Sequence, residues 1–291
     1  GWRMSTDHAT PPRPHAVPGQ PAPTDALTPV RDLGRPVRFT LVQPGLPKYR
    51  VPAYRAIAQR PRMAFKLVYA QDIDLPNATP DGFEGEFADH RYLRVRGQLF
   101  FWHPAQLRVA WSQRPDVVGM TWNTRYLSVF AAVLLARLRG VRVLLFGHGY
   151  SKNEGPLRAK LRAWLGRRAD AVVVYNRGTR DRLIAGGMAA DRVYVALNTV
   201  DQQQVQAARA RWLETPGRIE EFKRRQGLGG PDGSAPVILF VSRLEAANRV
   251  DMLLDAVPAL RTTHPHLRVI IIGKGPDDQR LRERAATLGL L

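Results

Sequence analysis

The stretch VVGMTWNTRYLSVFAAVLLARLRGVRVLLF, residues 117–146, decides the fold. Its ends, Val117–Met120 and Arg142–Phe146, are apolar runs of strand length, and between them Tyr126–Leu138 spaces its apolar residues as a helix does. Strand, helix and strand in so short a span form a crossover unit, and crossover units build parallel sheet. The pattern extends both ways. Before it come strand Val37–Gln43, helix Arg50–Gln59, strand Met63–Ala70, strand Tyr92–Arg96 and a helix near Pro104–Ser112. After it come helix Leu157–Arg167, strand Ala171–Tyr175, helix Arg177–Ala185 and strand Arg192–Ala196. Residues 36–201 therefore read as one doubly wound α/β domain.

Residues 202–235 differ: a Gln- and Arg-rich helical stretch ends in Gly227-Leu-Gly-Gly-Pro-Asp-Gly-Ser234, a run of turn formers that marks a linker. Strand Val237–Val241, helix Val250–Leu260, strand Leu267–Ile272 and helix Asp278–Leu288 then begin a second unit of the same kind over 236–291. The expected class is α/β, with two Rossmann-like doubly wound parallel-sheet domains. The second is expected to be incomplete, because the residues after Gly233 fall short of the ~100 that such a domain uses. Residues 1–35 carry seven of the 23 prolines and no apolar periodicity, and read as a disordered leader.

The chain has 291 residues, 44% of them hydrophobic, enough for a core in each unit. No apolar run approaches the ~20 residues of a membrane span. With no cysteine, disulfides, Cys-based metal sites and thiol catalysis are excluded. The net charge is +19, but only six of 44 basic residues are lysine, a bias that weakens a nucleic-acid reading of the charge. No nucleic-acid partner is expected.

In open parallel sheets ligands bind beyond the carboxyl ends of the strands. Four such places carry suitable residues. Gln43-Pro-Gly45 either is a plain turn or brings backbone close to a ligand. Gly147-His148-Gly149 displays an imidazole between two residues that leave room around it. Asn198, after the last strand of the first domain, serves either the site or an Asx turn. Ser242-Arg243-Leu244, with Asn248, Arg249 and Asp251 following, plants a guanidinium at a strand end, a bidentate fork for a diphosphate. After the next strand, Gly273-Lys274-Gly275 forms a small-residue turn.

These pieces, in this order, resemble the family 4 (group 1) retaining glycosyltransferases, whose two facing Rossmann-like domains make the GT-B fold. The likeness covers about residues 36–291. It rests on Pro115-Asp-Val-Val118, Ala169-Asp-Ala-Val-Val-Val-Tyr-Asn176 with Thr179-Arg-Asp-Arg-Leu183, Asn198-Thr-Val-Asp201, Ser242-Arg-Leu244 and His264–Pro276. The resemblance implies transfer of a sugar, with retained anomeric configuration, from a nucleotide diphosphate to a glycan or lipid-linked acceptor in polysaccharide or glycolipid synthesis. No metal or other cofactor is implied. It puts Gly45, His148 and Asn198 on the acceptor and sugar side, and Arg243, Asn248, Arg249, Gly273, Lys274 and Gly275 on the donor side. His148 and Arg243 are the residues expected to serve catalysis. Acceptor choice is expected in the loops around Asp81–Asp89 and Thr121–Arg125. Two departures stand out: Asn248 occupies the position of the family's usual lysine, leaving Arg249 to take the phosphate contact or donor binding altered, and the family's paired glutamates would lie beyond Leu291. Residues 1–291 alone are accordingly expected not to turn over donor.

Three rival readings remain in view. Asp72-Ile-Asp74 is a DxD triplet of the kind that holds a metal. Each Gly-x-Gly is a partial dinucleotide fingerprint of an oxidoreductase, but Lys152 and Asp278 stand where the third glycine belongs. Helix 155–168, with Leu157, Leu161, Trp164 and Leu165 on one side and Arg158, Lys160, Arg162, Arg167 and Arg168 on the other, reads as a helix for an anionic membrane surface or as a solvated helix on a sheet. The membrane version puts the protein in the cytoplasm, peripheral on the inner face of the plasma membrane. A non-catalytic basic module is the alternative from a different class.

Overall fold

The computed structural model describes residues 33–72, 75–151, 155–198, 200–231, 233 and 235–291. The expected leader through residue 32, Ile73 and Asp74 of the DxD triplet, and Lys152 and Thr199 lie outside them. The chain forms two compact units, one ending at Asp201 and the other Gln202–Leu291.

The first unit runs β1 (Val37–Gln43), α1 (Val51–Ala58), β2 (Met63–Tyr69), β3 (Glu84–Phe87), β4 (Arg91–Val95), β5 (Gln98–Trp102), α2 (Pro104–Arg108), β6 (Val117–Thr121), α3 (Ser128–Leu138), β7 (Arg142–Phe146), α4 (Pro156–Arg168), β8 (Ala171–Val174), α5 (Arg177–Ala185) and β9 (Val193–Val195). Seven strands form one sheet in the order β3-β2-β1-β6-β7-β8-β9, every pair parallel. The chain winds outward from β1 to β3, returns to lay β6 against β1, and winds the other way to β9. The order reverses between β1 and β6, so the crevice at their carboxyl ends is where ligands bind in such sheets. Central strands buried on both faces explain the unbroken apolar runs: Val42, Val118, Met120, Leu145 and Val172 have no exposed surface, each worth about 1.5–3 kcal/mol of burial. The Asn176 side chain caps α5 by accepting from the Thr179 amide at 2.8 Å.

Two elements differ from expectation. Tyr92–Arg96 was expected to continue the parallel alternation; instead β4 pairs antiparallel with β5, outside the main sheet. Arg96 and Gly97 both take positive φ, 49° and 77°, the two-residue turn that matches hairpin twist. Strand β3 carries no apolar signal: it is the sheet edge, and Glu84 and Glu86 meet Lys66 of β2 at 2.9 Å each.

The second unit contains α6 (Gln202–Leu213), α7 (Arg218–Arg225), β10 (Val237–Val241), α8 (Val250–Thr263), β11 (Arg268–Ile272) and α9 (Asp278–Thr287). β10 and β11 pair in parallel. Leu244, Val250, Leu254, Leu281 and Ala285 make a small core against Phe240 and Ile271, and Arg284 clamps Asp255 across the helix pair with bonds of 2.7 and 2.6 Å. Alternation leaves Val237, Leu239, Val241 and Ile272 exposed on the strands.

Candidate functional site

At the switch point of the first unit lies a cleft of about 340 Å³. The end of β1 supplies Gln43 and Gly45, the end of β6 supplies Thr121 to Asn123 and Arg125, and the β7 loop brings His148 and Tyr150. Asp72, Arg50, Tyr175 and, from α4, Arg158 and Arg162 complete the wall. Among the described residues the cleft therefore gathers four guanidiniums against one carboxylate.

Neutral groups contact three of these arginines. Arg50 donates to the Tyr175 hydroxyl at 3.3 Å and to Gln43 Oε1 at 3.4 Å, with its guanidinium 5.6 Å from the Phe146 ring centre. Arg158 reaches Thr124 Oγ1 at 3.3 Å. Arg162 is buried: its Nη1 donates to the Trp122 carbonyl at 3.0 Å while Trp122 Nε1 donates to the Arg162 carbonyl at 3.1 Å. That reciprocal pair fixes α4 against the cleft floor. Among the described residues no carboxylate pairs with Arg50, Arg125 or Arg158. Gln43 Nε2 and Thr121 Oγ1 are buried donors with no partner. Buried polar groups are normally satisfied, so cations and idle donors together suit an anionic, oxygen-rich ligand.

His148 rests 4.6 Å from the Tyr175 ring centre. Burial, and next the charges of Arg50 and Arg162, push its imidazole below the usual range, so it presents a neutral ring at pH 7. Gly45 and His148 line one cleft, although Gly45 is constrained from behind: a Cβ there would stand 2.5 Å from Cβ of Asp72. Asn198 is exposed beyond β9 and does not line this cleft. Of the two expected acceptor loops, Thr121–Arg125 lines the cleft and Asp81–Asp89 does not.

Helix α4 does not sort into an apolar and a basic face. Leu165 and Arg162 are both buried, Trp164 stacks on Phe130 at 6.0 Å, and Leu157 and Leu161 are exposed. The helix packs on the sheet through Leu165 and turns Arg158 and Arg162 into the cleft, so the expected membrane face made of Leu157, Leu161, Trp164 and Leu165 is not formed.

In the second unit the loop after β10 is laced to the turn after β11. The Ser242 amide donates to Ile272 O at 3.1 Å and the Leu244 amide to Lys274 O at 3.0 Å. A Cβ on Gly273 or Gly275 would run into the Ser242 or Leu244 carbonyl oxygen, so these glycines serve the approach of two chain segments. Arg243 and Lys274 consequently sit on adjoining loops. The Arg243 guanidinium is largely exposed, with Glu245 at 3.3 Å. Asn248 Nδ2 donates to the Arg243 carbonyl at 2.8 Å, holding the loop that presents it. Arg249, with φ of 51°, begins α8 and pairs with Asp251 at 3.3 Å.

Two α/β units, one with an arginine-lined crevice beyond its sheet and one with cations on paired strand-end loops, define a class of protein that holds anionic, oxygen-rich substrates. The chain matches the model of Glycosyltransferase Family 4 over residues 67–204 and that of Glycosyl transferases group 1 over 220–291. It belongs to these family 4, group 1 glycosyltransferases. It is 31% identical over 160 residues to the GDP-mannose-dependent alpha-(1-6)-phosphatidylinositol monomannoside mannosyltransferase of Mycolicibacterium smegmatis, covering 54% of this chain and 39% of that protein. It is 26% identical over 197 residues to the 2-deoxystreptamine glucosyltransferase of Streptomyces kanamyceticus, covering 64% and 48%. The matches thus span less than half the length of either relative. Among solved structures it is similar in fold to Anabaena HepE, solved with UDP and glucose, at 17% identity and a TM-score of 0.55 over 87% of this chain and 66% of that one. These matches favour neither the oxidoreductase nor the nucleic-acid reading.

The sequence pointed to Gly45, His148 and the Thr121–Arg125 loop, which line the cleft, but did not single out Arg50, Arg158 and Arg162. A signal existed for two of them: Arg158 and Arg162 lie four apart, on one helix face.

Proposed function

We propose that this protein transfers a sugar, with retention of anomeric configuration, from a nucleotide diphosphate to an acceptor held by the first unit's cleft. The observation that carries the reading is the pairing of Arg243 with Lys274 on adjoining strand-end loops, where two cations meet the charge that grows on a departing diphosphate. The departing diphosphate oxygen takes the acceptor's proton on the face the acceptor attacks, so no carboxylate base is required. His148, neutral and beside Tyr175, orients sugar or acceptor hydroxyls rather than adding charge. Asn248 supports the Arg243 loop through its carbonyl, and Arg249 assists the diphosphate once released from Asp251. In this reading no metal is needed, because arginine and lysine neutralise the diphosphate.

One relative is named for phosphatidylinositol monomannoside and the other for 2-deoxystreptamine, so membership leaves the acceptor and sugar open. No helix among the described residues is long and apolar enough to cross a membrane; a lipid-linked acceptor would be met peripherally, from the cytoplasmic face. The test is turnover of 1-¹³C-labelled UDP- and GDP-sugars by this chain carried through the length of its relatives, read by the anomeric signal of the product. Retention supports the proposal, and a product of inverted configuration refutes it.

A further inference from the structure

Strand β4 presents a backbone edge left unpaired among the described residues. The Phe101 amide donates to Arg125 O at 2.8 Å and Phe101 O accepts from the Leu127 amide at 2.9 Å, so both backbone groups of Phe101 face away from β4. In an antiparallel ladder the residue opposite does the same, and Tyr92 stands opposite Phe101. The period of two extends this to Arg94. The turn agrees, because Arg96 and Gly97 close on Val95 and Gln98 as the hydrogen-bonded pair. β4 pairs with β5 alone, so among the described residues the outward N–H and C=O groups of Tyr92 and Arg94 meet no backbone partner. All five residues of the strand are exposed, Tyr92 at 63% and Leu93 at 66%. A lone ribbon with such an open edge is marginal in water and a template for a further strand.

The edge is complementary to itself. A two-fold axis pairs two copies of the strand antiparallel, and the outward groups meet only when Tyr92 and Arg94 oppose one another or themselves. With the axis at Arg94, like guanidiniums stand directly opposite. With the axis at Tyr92, Arg94 would need His90, which lies outside the strand, buried against Phe101 and Tyr126. With the axis at Leu93, Tyr92 of each copy opposes Arg94 of the other, and each pair exchanges both of its N–H···O bonds. Each Arg94 then lies across from a phenol ring, within reach of a cation–π contact. Arg91 meets Val95, Leu93 meets Leu93, and Arg96 comes within one residue of the exposed Asp89 of the second copy. Leu93, Val95, Phe100 and Trp102 share one face of the hairpin, lining with Leu127 an apolar groove of about 400 Å³, and this register runs the two apolar faces together across the axis. We infer that two copies of this chain associate through β4, with the axis at Leu93, into a continuous antiparallel sheet of order β5-β4-β4-β5.

The chain has no cysteine, so introduced cysteines report the register. Leu93→Cys sets two thiols opposite each other in a non-hydrogen-bonded pair, where Cα atoms lie about 4.5 Å apart, within disulfide reach. Oxidation with diamide should convert most of that variant to covalent dimer. Val95→Cys alone should not cross-link, because its two copies lie about 13 Å apart along the strands, whereas a mixture of Arg91→Cys and Val95→Cys chains should give the mixed disulfide. Light scattering over about a hundredfold concentration series should show monomer giving way to dimer. Leu93→Lys and Leu93→Glu should each weaken association at least about tenfold, since like charges replace a leucine contact on the axis, and an equimolar mixture of the two should restore it. Unchanged circular dichroism and thermal midpoints verify that these exposed substitutions leave the fold intact. The inference is overturned by a monomer throughout the series, by Val95→Cys cross-linking as readily as Leu93→Cys, or by a dimer that Leu93→Lys leaves intact. It is equally overturned if the wild type stays monomeric while Leu93→Lys abolishes its sedimentation with phosphatidylglycerol vesicles. None of these outcomes depends on sugar transfer.

Discussion

His103 gives the first unit a stability that depends on pH. It follows β5, is 1% exposed and lies beside His90, ring centres 5.9 Å apart. Burial first, and then the His90 charge, lower its pKa from 6.5 to about 4. The unfolded chain takes up its proton near pH 6.5 and the native protein only near 4, so the stability His103 leaves intact above 6.5 is lost as pH falls through that window. Two and a half units at 1.36 kcal/mol each come to roughly 3 kcal/mol, largely spent before most carboxylates titrate. The perturbation is His103→Gln, which keeps a polar side chain but cannot titrate. Native-state hydrogen exchange of β1, β6 and β7 amides at pH 6.5, 5.5 and 4.5 reports opening of this unit alone. The wild type should lose about 1.4 kcal/mol per pH unit more than the variant, whatever constant offset the substitution adds. Parallel slopes would refute the assignment of this proton uptake to His103.

Other consequences are more local. Gly275→Ala drives a methyl group into the Leu244 backbone and should cost about 1–3 kcal/mol, seen as a lower midpoint for the second unit's thermal unfolding. Asn248→Ala removes the bond to the Arg243 carbonyl and should cost about 1 kcal/mol while weakening donor binding measured by titration. Arg162→Met leaves the buried Trp122 carbonyl without its side-chain donor and should lower the first unit's stability by about 1–3 kcal/mol, read by urea unfolding followed through Trp122. Arg243→Ala, at a largely exposed side chain, should leave both melting transitions unchanged and reduce sugar transfer by about 10²-fold or more.

Central strands were legible because burial on both faces writes itself as an apolar run: β7 lies where the sequence reading set it and β6 runs one residue longer. β3 was not, because an edge strand paired on one side carries Glu84 and Glu86 outward and shows no period. The Arg96-Gly97 turn was present in the sequence but passed for a strand end, which turned a hairpin into a single strand. At the site, residues on strand-end loops were found by position in the fold, Gly45 and His148 among them. The cleft arginines were not singled out: Arg50, Arg125, whose loop alone was expected, and Arg158 are far apart in sequence, and only the reversal of strand order brings them together. On α4, periodicity separated leucines from arginines but held no information on which arginine would be buried.

The central claim is a nucleotide-sugar site built on Arg243 and Lys274. Saturation-transfer NMR of the chain with UDP-glucose, GDP-mannose and NAD, repeated with Arg243→Ala, tests it most directly. The account predicts transfer to nucleotide and diphosphate-proximal ribose protons of a nucleotide sugar, lost in the variant. Equal signals from wild type and variant, or a signal from NAD alone, would contradict it.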